Sequence, residues 1–120
     1  MKSFVHAAAT VVFVLAASTV WAHATLQGSE PPAGSTLTAA PKQLRLHFNE
    51  ALEPAFASVK LTGPGGKEVA VDKAAVDKAD GRTLVLPLPA LPAGAYQAKW
   101  SAMGHDGHRM KGDLGFTVEP

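Results

Sequence analysis

The sequence predicts an all-β fold, a single β-sandwich made of two packed sheets. Two observations carry this: apolar residues recur at every second position, and turn signals cut the chain into short segments. Side chains on a strand point alternately to opposite faces, so each such segment can bury one side and wet the other. Leu44, Leu46 and Phe48 alternate with Arg45, His47 and Asn49, and Val59 and Leu61 repeat the pattern around Lys60. Val69 and Val71 mark a further short strand, and Thr83 to Leu88 sets Leu84, Leu86 and Leu88 on one side. Tyr96, Ala98 and Trp100 share a face, as do Leu114, Phe116 and Val118; Tyr96 and Trp100 read as core aromatics. Pro31-Pro32-Ala33-Gly34, Gly63-Pro64-Gly65-Gly66 and Pro92-Ala93-Gly94 punctuate these segments. Short strands at such spacing favour a sandwich over a helical or parallel α/β fold. Lys73 to Asp80 has the makings of a helical turn, marginal at that length, and Asp80-Gly81 reads as a turn into the next strand.

The first twenty-two residues differ in kind. Lys2 supplies a basic start, and Ala7 to Val20 is an almost unbroken run of apolar and small residues, short for a bilayer crossing of roughly 20 residues. With Val20-Trp21-Ala22 at its end, the segment 1–22 reads as a secretory signal peptide cleaved after Ala22. Residues 23–120 then form one domain, and losing Lys2 takes the formal net charge from +1 to 0. That balance gives no basic footprint for nucleic acid or for insertion into an acidic membrane. The expectation is a periplasmic, monomeric protein. It has no cysteine for a disulfide, so its stability comes from core packing, with bound metal as a supplement.

Cleavage after Ala22 makes His23 the first residue and changes its chemistry. An N-terminal histidine offers an α-amine and an imidazole nitrogen, which close one chelate ring on a single metal. Two nitrogens on one residue suit Cu(II), which favours tetragonal nitrogen and oxygen coordination and tops the divalent affinity order. The complementary half is His105-Asp106-Gly107-His108, in a loop expected from Met103 to Gly112 at one end of the sandwich. Asp106 and His108 are two apart, so in an extended backbone they project to the same side, and Gly107 lets the chain bend between them. One imidazole and one carboxylate would complete a mixed site with His23. Taken alone, the same residues read as a solvated Asp-Gly turn with incidental histidines.

The chain from His23 onward resembles the CopC family of periplasmic copper-resistance proteins. The resemblance rests on His23-Ala24-Thr25-Leu26, on Ser29-Glu30-Pro31-Pro32-Ala33-Gly34-Ser35 and on Leu44-Arg45-Leu46-His47-Phe48-Asn49-Glu50. It continues through Leu91-Pro92-Ala93-Gly94-Ala95-Tyr96 and Trp100 to Asp106-Gly107-His108 and Gly112-Asp113-Leu114-Gly115-Phe116. It implies a Greek-key β-sandwich of immunoglobulin-like or cupredoxin-like form, and one Cu(II) ion per chain. It places the metal-binding positions on His23, Asp106 and His108, with Glu50 in or near the site as an outer partner. A CopD-type copper transporter of the inner membrane is the implied partner. Some members carry a methionine-rich loop for Cu(I). Here only Met103 and Met110 follow the initiator, neither lies between Thr62 and Val71, and no dedicated Cu(I) site is expected.

His47 has the opposite parity from Leu46 and Phe48 and reads as a solvated strand histidine. His105 reads as exposed, and His6 leaves with the signal. The function expected is therefore copper sequestration or delivery, not catalysis. Two rival readings fit the same sequence: a small histidine-brace oxidative enzyme and a metal-free envelope interaction domain. The first is disfavoured because short turns leave little chain for a broad substrate surface. The second leaves the co-occurrence of His23, Asp106 and His108 unexplained.

Overall fold

The computed structural model describes residues 25–120. Within them nine strands run in the order β1 (Leu26–Glu30), β2 (Ser35–Leu37), β3 (Gln43–Phe48), β4 (Ser58–Thr62), β5 (Glu68–Val69), β6 (Ala75–Val76), β7 (Thr83–Pro87), β8 (Gly94–Met103) and β9 (Arg109–Val118). They form two sheets, one ordered β1-β3-β7-β6 and the other β2-β9-β8-β4-β5. Short 3₁₀ turns at Pro54–Phe56 and Pro64–Gly66 precede β4 and β5. Among the described residues no helix is long and apolar enough to cross a membrane.

The core lies where the alternation puts it. Leu44, Leu46 and Phe48 of β3 and Leu84 and Leu86 of β7 meet Tyr96, Ala98 and Trp100 of β8 and Leu114, Phe116 and Val118 of β9, all buried. Fully burying a leucine or phenylalanine side chain contributes roughly 1.5–3 kcal/mol, so this layer is the main source of stability. Phe48 meets Trp100 edge-on at 5.2 Å between ring centroids, joining the two sheets across the core. Tyr96 stacks on Phe116 and donates its hydroxyl hydrogen to the Pro92 carbonyl, so its polar tip is satisfied at the rim.

Several elements depart from the sequence expectation. The segment 73–80 divides: Ala75 and Val76 pair with Val85 and Leu84 of β7, because an exposed sheet edge offers backbone partners that an isolated turn lacks, and the helical turn is confined to its end, where Gly81 N–H donates to the Asp77 carbonyl at 2.8 Å. Strands β1 and β2 carry no clean alternation. β1 is held by antiparallel pairing to β3, and β2 by parallel pairing to the end of β9. Strands β8 and β9 are longer than their apolar stretches and pair from Gly94↔Val118 to Met103↔Arg109. The connection between them therefore shrinks from the expected 103–112 to Gly104 through His108.

Candidate metal centre

The β8–β9 turn is built by short-range chemistry. Its main chain closes through Gly107 N–H to the Gly104 carbonyl (3.0 Å) and Gly104 N–H to the His108 carbonyl (3.1 Å). Gly107 sits at φ +84°, in the left-handed region that side chains disfavour. The Asp106 carboxylate completes the turn by accepting the His108 N–H at 3.0 Å through Oδ1. Short acidic side chains commonly close a turn this way. Oδ2 of the same carboxylate then stands 3.1 Å from His108 Nδ1. Asp106 and His108 thus come together as the sequence suggested, though through a closed turn and not an extended backbone. The His108 side chain is 58% exposed and that of Asp106 32%, so an ion can reach both.

A second segment runs alongside. His105 N–H donates to the Ala51 carbonyl (3.1 Å), Glu53 N–H donates to the Met103 carbonyl (2.8 Å), and Leu52 bridges to Gly104. This seats Glu50 over the turn. A Cβ built on Gly104 would stand 3.0 Å from Glu50 Oε1 and 3.0 Å from Asp106 Oδ1. Both carboxylates reach toward the same point because residue 104 has no side chain there.

A third segment ties in the start of the described chain. Thr25 N–H donates to Asn49 Oδ1 at 2.6 Å, and Asn49 N–H donates back to the Thr25 carbonyl at 3.2 Å. The chain's entry into β1 is therefore stitched to the residue preceding Glu50. His23, the segment 1–22 and the cleavage after Ala22 lie outside the described residues. Among the described residues no three His, Asp, Glu or Cys side chains converge to hold a metal by themselves.

The other candidates fall elsewhere. His105 is exposed as expected, its Nε2 3.8 Å from Glu53 Oε1. Met110 packs, partly buried, against the core. His47 corrects the sequence reading: it faces away from the core but is not simply solvated. The buried Thr83 hydroxyl donates to Asp80 Oδ2 (2.8 Å) and its oxygen meets His47 Nδ1 at 3.0 Å, while His47 Nε2 lies 3.1 Å from Glu30 Oε1. Asp80 anchors this row. The Arg82 N–H and then the Thr83 hydroxyl, with smaller help from the Thr83 N–H and the Arg45 charge, hold its carboxyl below the ordinary carboxylate range. Neither this row nor the role of Gly104 is legible in the sequence. Asp80-Gly81 signals only a turn, and nothing local in the sequence brings Glu50 to residue 104.

Residues 26–119 match the family model of the CopC domain. The chain belongs to the CopC family. It is 34% identical over 119 residues to the protein YobA of Escherichia coli K12, an alignment covering 98% of this chain and 96% of that one. Its fold superposes on the crystal structure of CopC from Methylosinus trichosporium OB3b with a TM-score of 0.76 and 34% identity, covering 82% of this chain and 95% of the other. Against PcoC of Escherichia coli, described as a methionine-rich copper resistance protein, the TM-score is 0.72 and the identity 38%, covering 82% and 100%. The CopC-like β-sandwich expected from the sequence is the fold observed. Unlike a methionine-rich relative, this chain has three methionines in 120 residues, the initiator among them.

Proposed function

We propose that this CopC-family chain is an exported, periplasmic Cu(II)-binding protein that sequesters copper or delivers it to a membrane transporter of the CopD type. In this reading the segment 1–22 is a signal peptide and the mature domain is 23–120. His23 then supplies its α-amine and imidazole, Asp106 and His108 supply the remaining donors, and Glu50 stands behind them as an orienting carboxylate. The role is binding and transfer of one Cu(II) ion per chain, without catalysis.

The observation that carries this reading is the convergence of three segments at one end of the sandwich. The Asp106–His108 turn, the Glu50 strand end and the Thr25 tether meet there. Thr25 is hydrogen-bonded to Asn49, the neighbour of Glu50, and in this reading the two residues before Thr25, which span at most about 7 Å, carry His23 toward that turn. The donor set also fits the ion. Imidazole, amine and carboxylate suit Cu(II), whereas Cu(I) prefers thioether and thiolate sulfur. A proton on His108 Nδ1 directed at Asp106 leaves the lone pair on Nε2, which is how a carboxylate neighbour commonly sets a metal-binding tautomer.

The test is a Cu(II) titration of protein beginning at His23, followed by electron paramagnetic resonance, beside the same protein with one extra N-terminal residue. One tight, nitrogen-rich site that the extension disrupts is the expected result. Identical spectra from both, or no specific uptake by either, would overturn the proposal.

A further inference from the structure

The outer face of the five-stranded sheet carries a charge arrangement that folding does not require. Lys60 of β4 and Lys99 of β8 are direct cross-strand partners, a like-charge pairing that disfavours the sheet, while on its other side Lys99 is the cross-strand partner of Asp113 of β9. Lys111 of β9 pairs with Ser101, one step diagonally from Lys99. Together with Ser58 these four line a groove of about 560 Å³. Among the described residues Lys99 and Lys111 enter no ion pair, and Lys60 has only the exposed Glu68 at 3.7 Å. The other sheet is treated differently: its outward Arg45 is matched to Asp77 at 3.1 Å. The whole chain has a formal charge of only +1, so this concentration is a matter of placement, not of composition.

The row continues toward the candidate metal centre. Arg109, paired with Met103 at the top of β9, directly follows His108 in the chain. Its guanidinium lies 5.5 Å from the ring centroid of Phe56, which is 49% exposed. Arginine and exposed aromatic residues are the types that dominate protein–protein contacts.

We propose that this face docks an acidic surface of a partner protein, with Phe56 and Arg109 as its anchor beside the metal-binding turn. The proposal rests on the copper-binding reading in one respect: docking here would set the partner next to the turn from which it would take or receive the ion. A protein is favoured over a lipid surface because Asp113 also lines the groove and Glu68 flanks it. A uniformly anionic membrane would repel both carboxylates, whereas a protein surface can place donors against them.

The probe is a synthetic Glu/Asp-rich peptide titrated into ¹⁵N-labelled protein. Phosphatidylglycerol vesicles and inorganic phosphate serve as separate arms, and Cu(II) uptake is measured on the same samples. Expected are amide shifts centred on Lys60, Lys99, Ser101, Arg109 and Lys111. The affinity should fall at least tenfold in Lys99→Glu/Lys111→Glu and should weaken steeply with salt. Copper uptake should be unchanged in that variant. Shifts elsewhere, no binding, salt-insensitive binding, or a response to vesicles or phosphate without one to the peptide would each overturn the docking proposal. Failure of the wild-type protein to take up Cu(II) while the peptide still binds this face would sink the copper reading and leave the docking surface standing.

Discussion

Asp106 grips His108 twice, at the main chain through Oδ1 (3.0 Å) and at the ring through Oδ2 (3.1 Å). One carboxylate therefore sets both the shape of the turn and the direction of the imidazole. Asp106→Ala should remove both at once, together with one of the proposed copper donors, and weaken Cu(II) binding by at least the roughly 10–100-fold that losing an orienting group alone commonly costs. Asp106→Asn keeps an oxygen for the His108 N–H but removes the negative charge. It should bind copper more tightly than the alanine variant and less tightly than the native protein. Competition against a copper chelator at fixed pH ranks the three, and equal affinities would refute this role for Asp106.

Gly104 matters for the space it leaves. A methyl group there would press on Glu50 Oε1 and Asp106 Oδ1 at 3.0 Å from each, and the carboxylates would have to yield by a few tenths of an ångström. Both are chain ends that can move, so the fold should tolerate the change. Gly104→Ala is expected to weaken Cu(II) binding by about tenfold, in the range seen when supporting groups of a metal site are disturbed. Thermal unfolding of the apoprotein should shift by only a few degrees. A large loss of stability with unchanged copper affinity would show that Gly104 serves the turn alone.

These two residues mark how far the sequence could be read. The long strands were legible because each has one apolar face, as with Leu44, Leu46 and Phe48. Strand β2 was not, because Ser35–Leu37 is held by backbone pairing to Phe116–Val118 and needs no pattern of its own. Asp106 and His108 could be singled out from residue type and spacing, yet their geometry depends on an N–H that the Asp106 side chain captures locally. Glu50 meeting Asp106 over Gly104 depends on the pairing of Leu52 with Gly104, a contact between residues far apart in sequence. The same holds for Glu30 and His47, whose meeting follows from the β1–β3 register.

Asp80 gives a pH-dependent prediction on the opposite sheet. Its carboxyl is held below the ordinary 3.8, chiefly by the Arg82 N–H and then by the Thr83 hydroxyl. The unfolded chain therefore binds the proton more tightly than the folded one. The resulting stability is fully present above pH ~4 and is lost as pH falls through the lowered folded-state value. Asp80→Asn should be less stable than the native protein at neutral pH, and the gap should close on acidification below that window. Urea unfolding at neutral pH and at successively lower pH measures it; a gap that stays constant throughout acidification would show that the charge contributes nothing.

Asn49 connects the fold to the proposed copper site. Its side chain accepts the Thr25 N–H at 2.6 Å while its own N–H reaches the Thr25 carbonyl at 3.2 Å. The pair fixes where the chain enters β1, and so how far a processed N-terminus has to travel to reach Asp106 and His108. Asn49→Ala keeps the main-chain bond and removes the side-chain one, a change of about 1 kcal/mol for a typical bond of this kind. A freer N-terminus has more conformational freedom to lose when it closes on an ion, so the cost should fall mainly on binding. Cu(II) affinity is expected to fall about five- to tenfold, in keeping with that energy, and cooling toward about 5 °C should not restore it. With an extra N-terminal residue, the native protein and the Asn49→Ala variant should show no such difference, because the amine no longer belongs to His23. Calorimetric titration of the four proteins decides the matter: an Asn49→Ala effect that persists in the extended pair would place the role of Asn49 in the turn and remove it from the N-terminus.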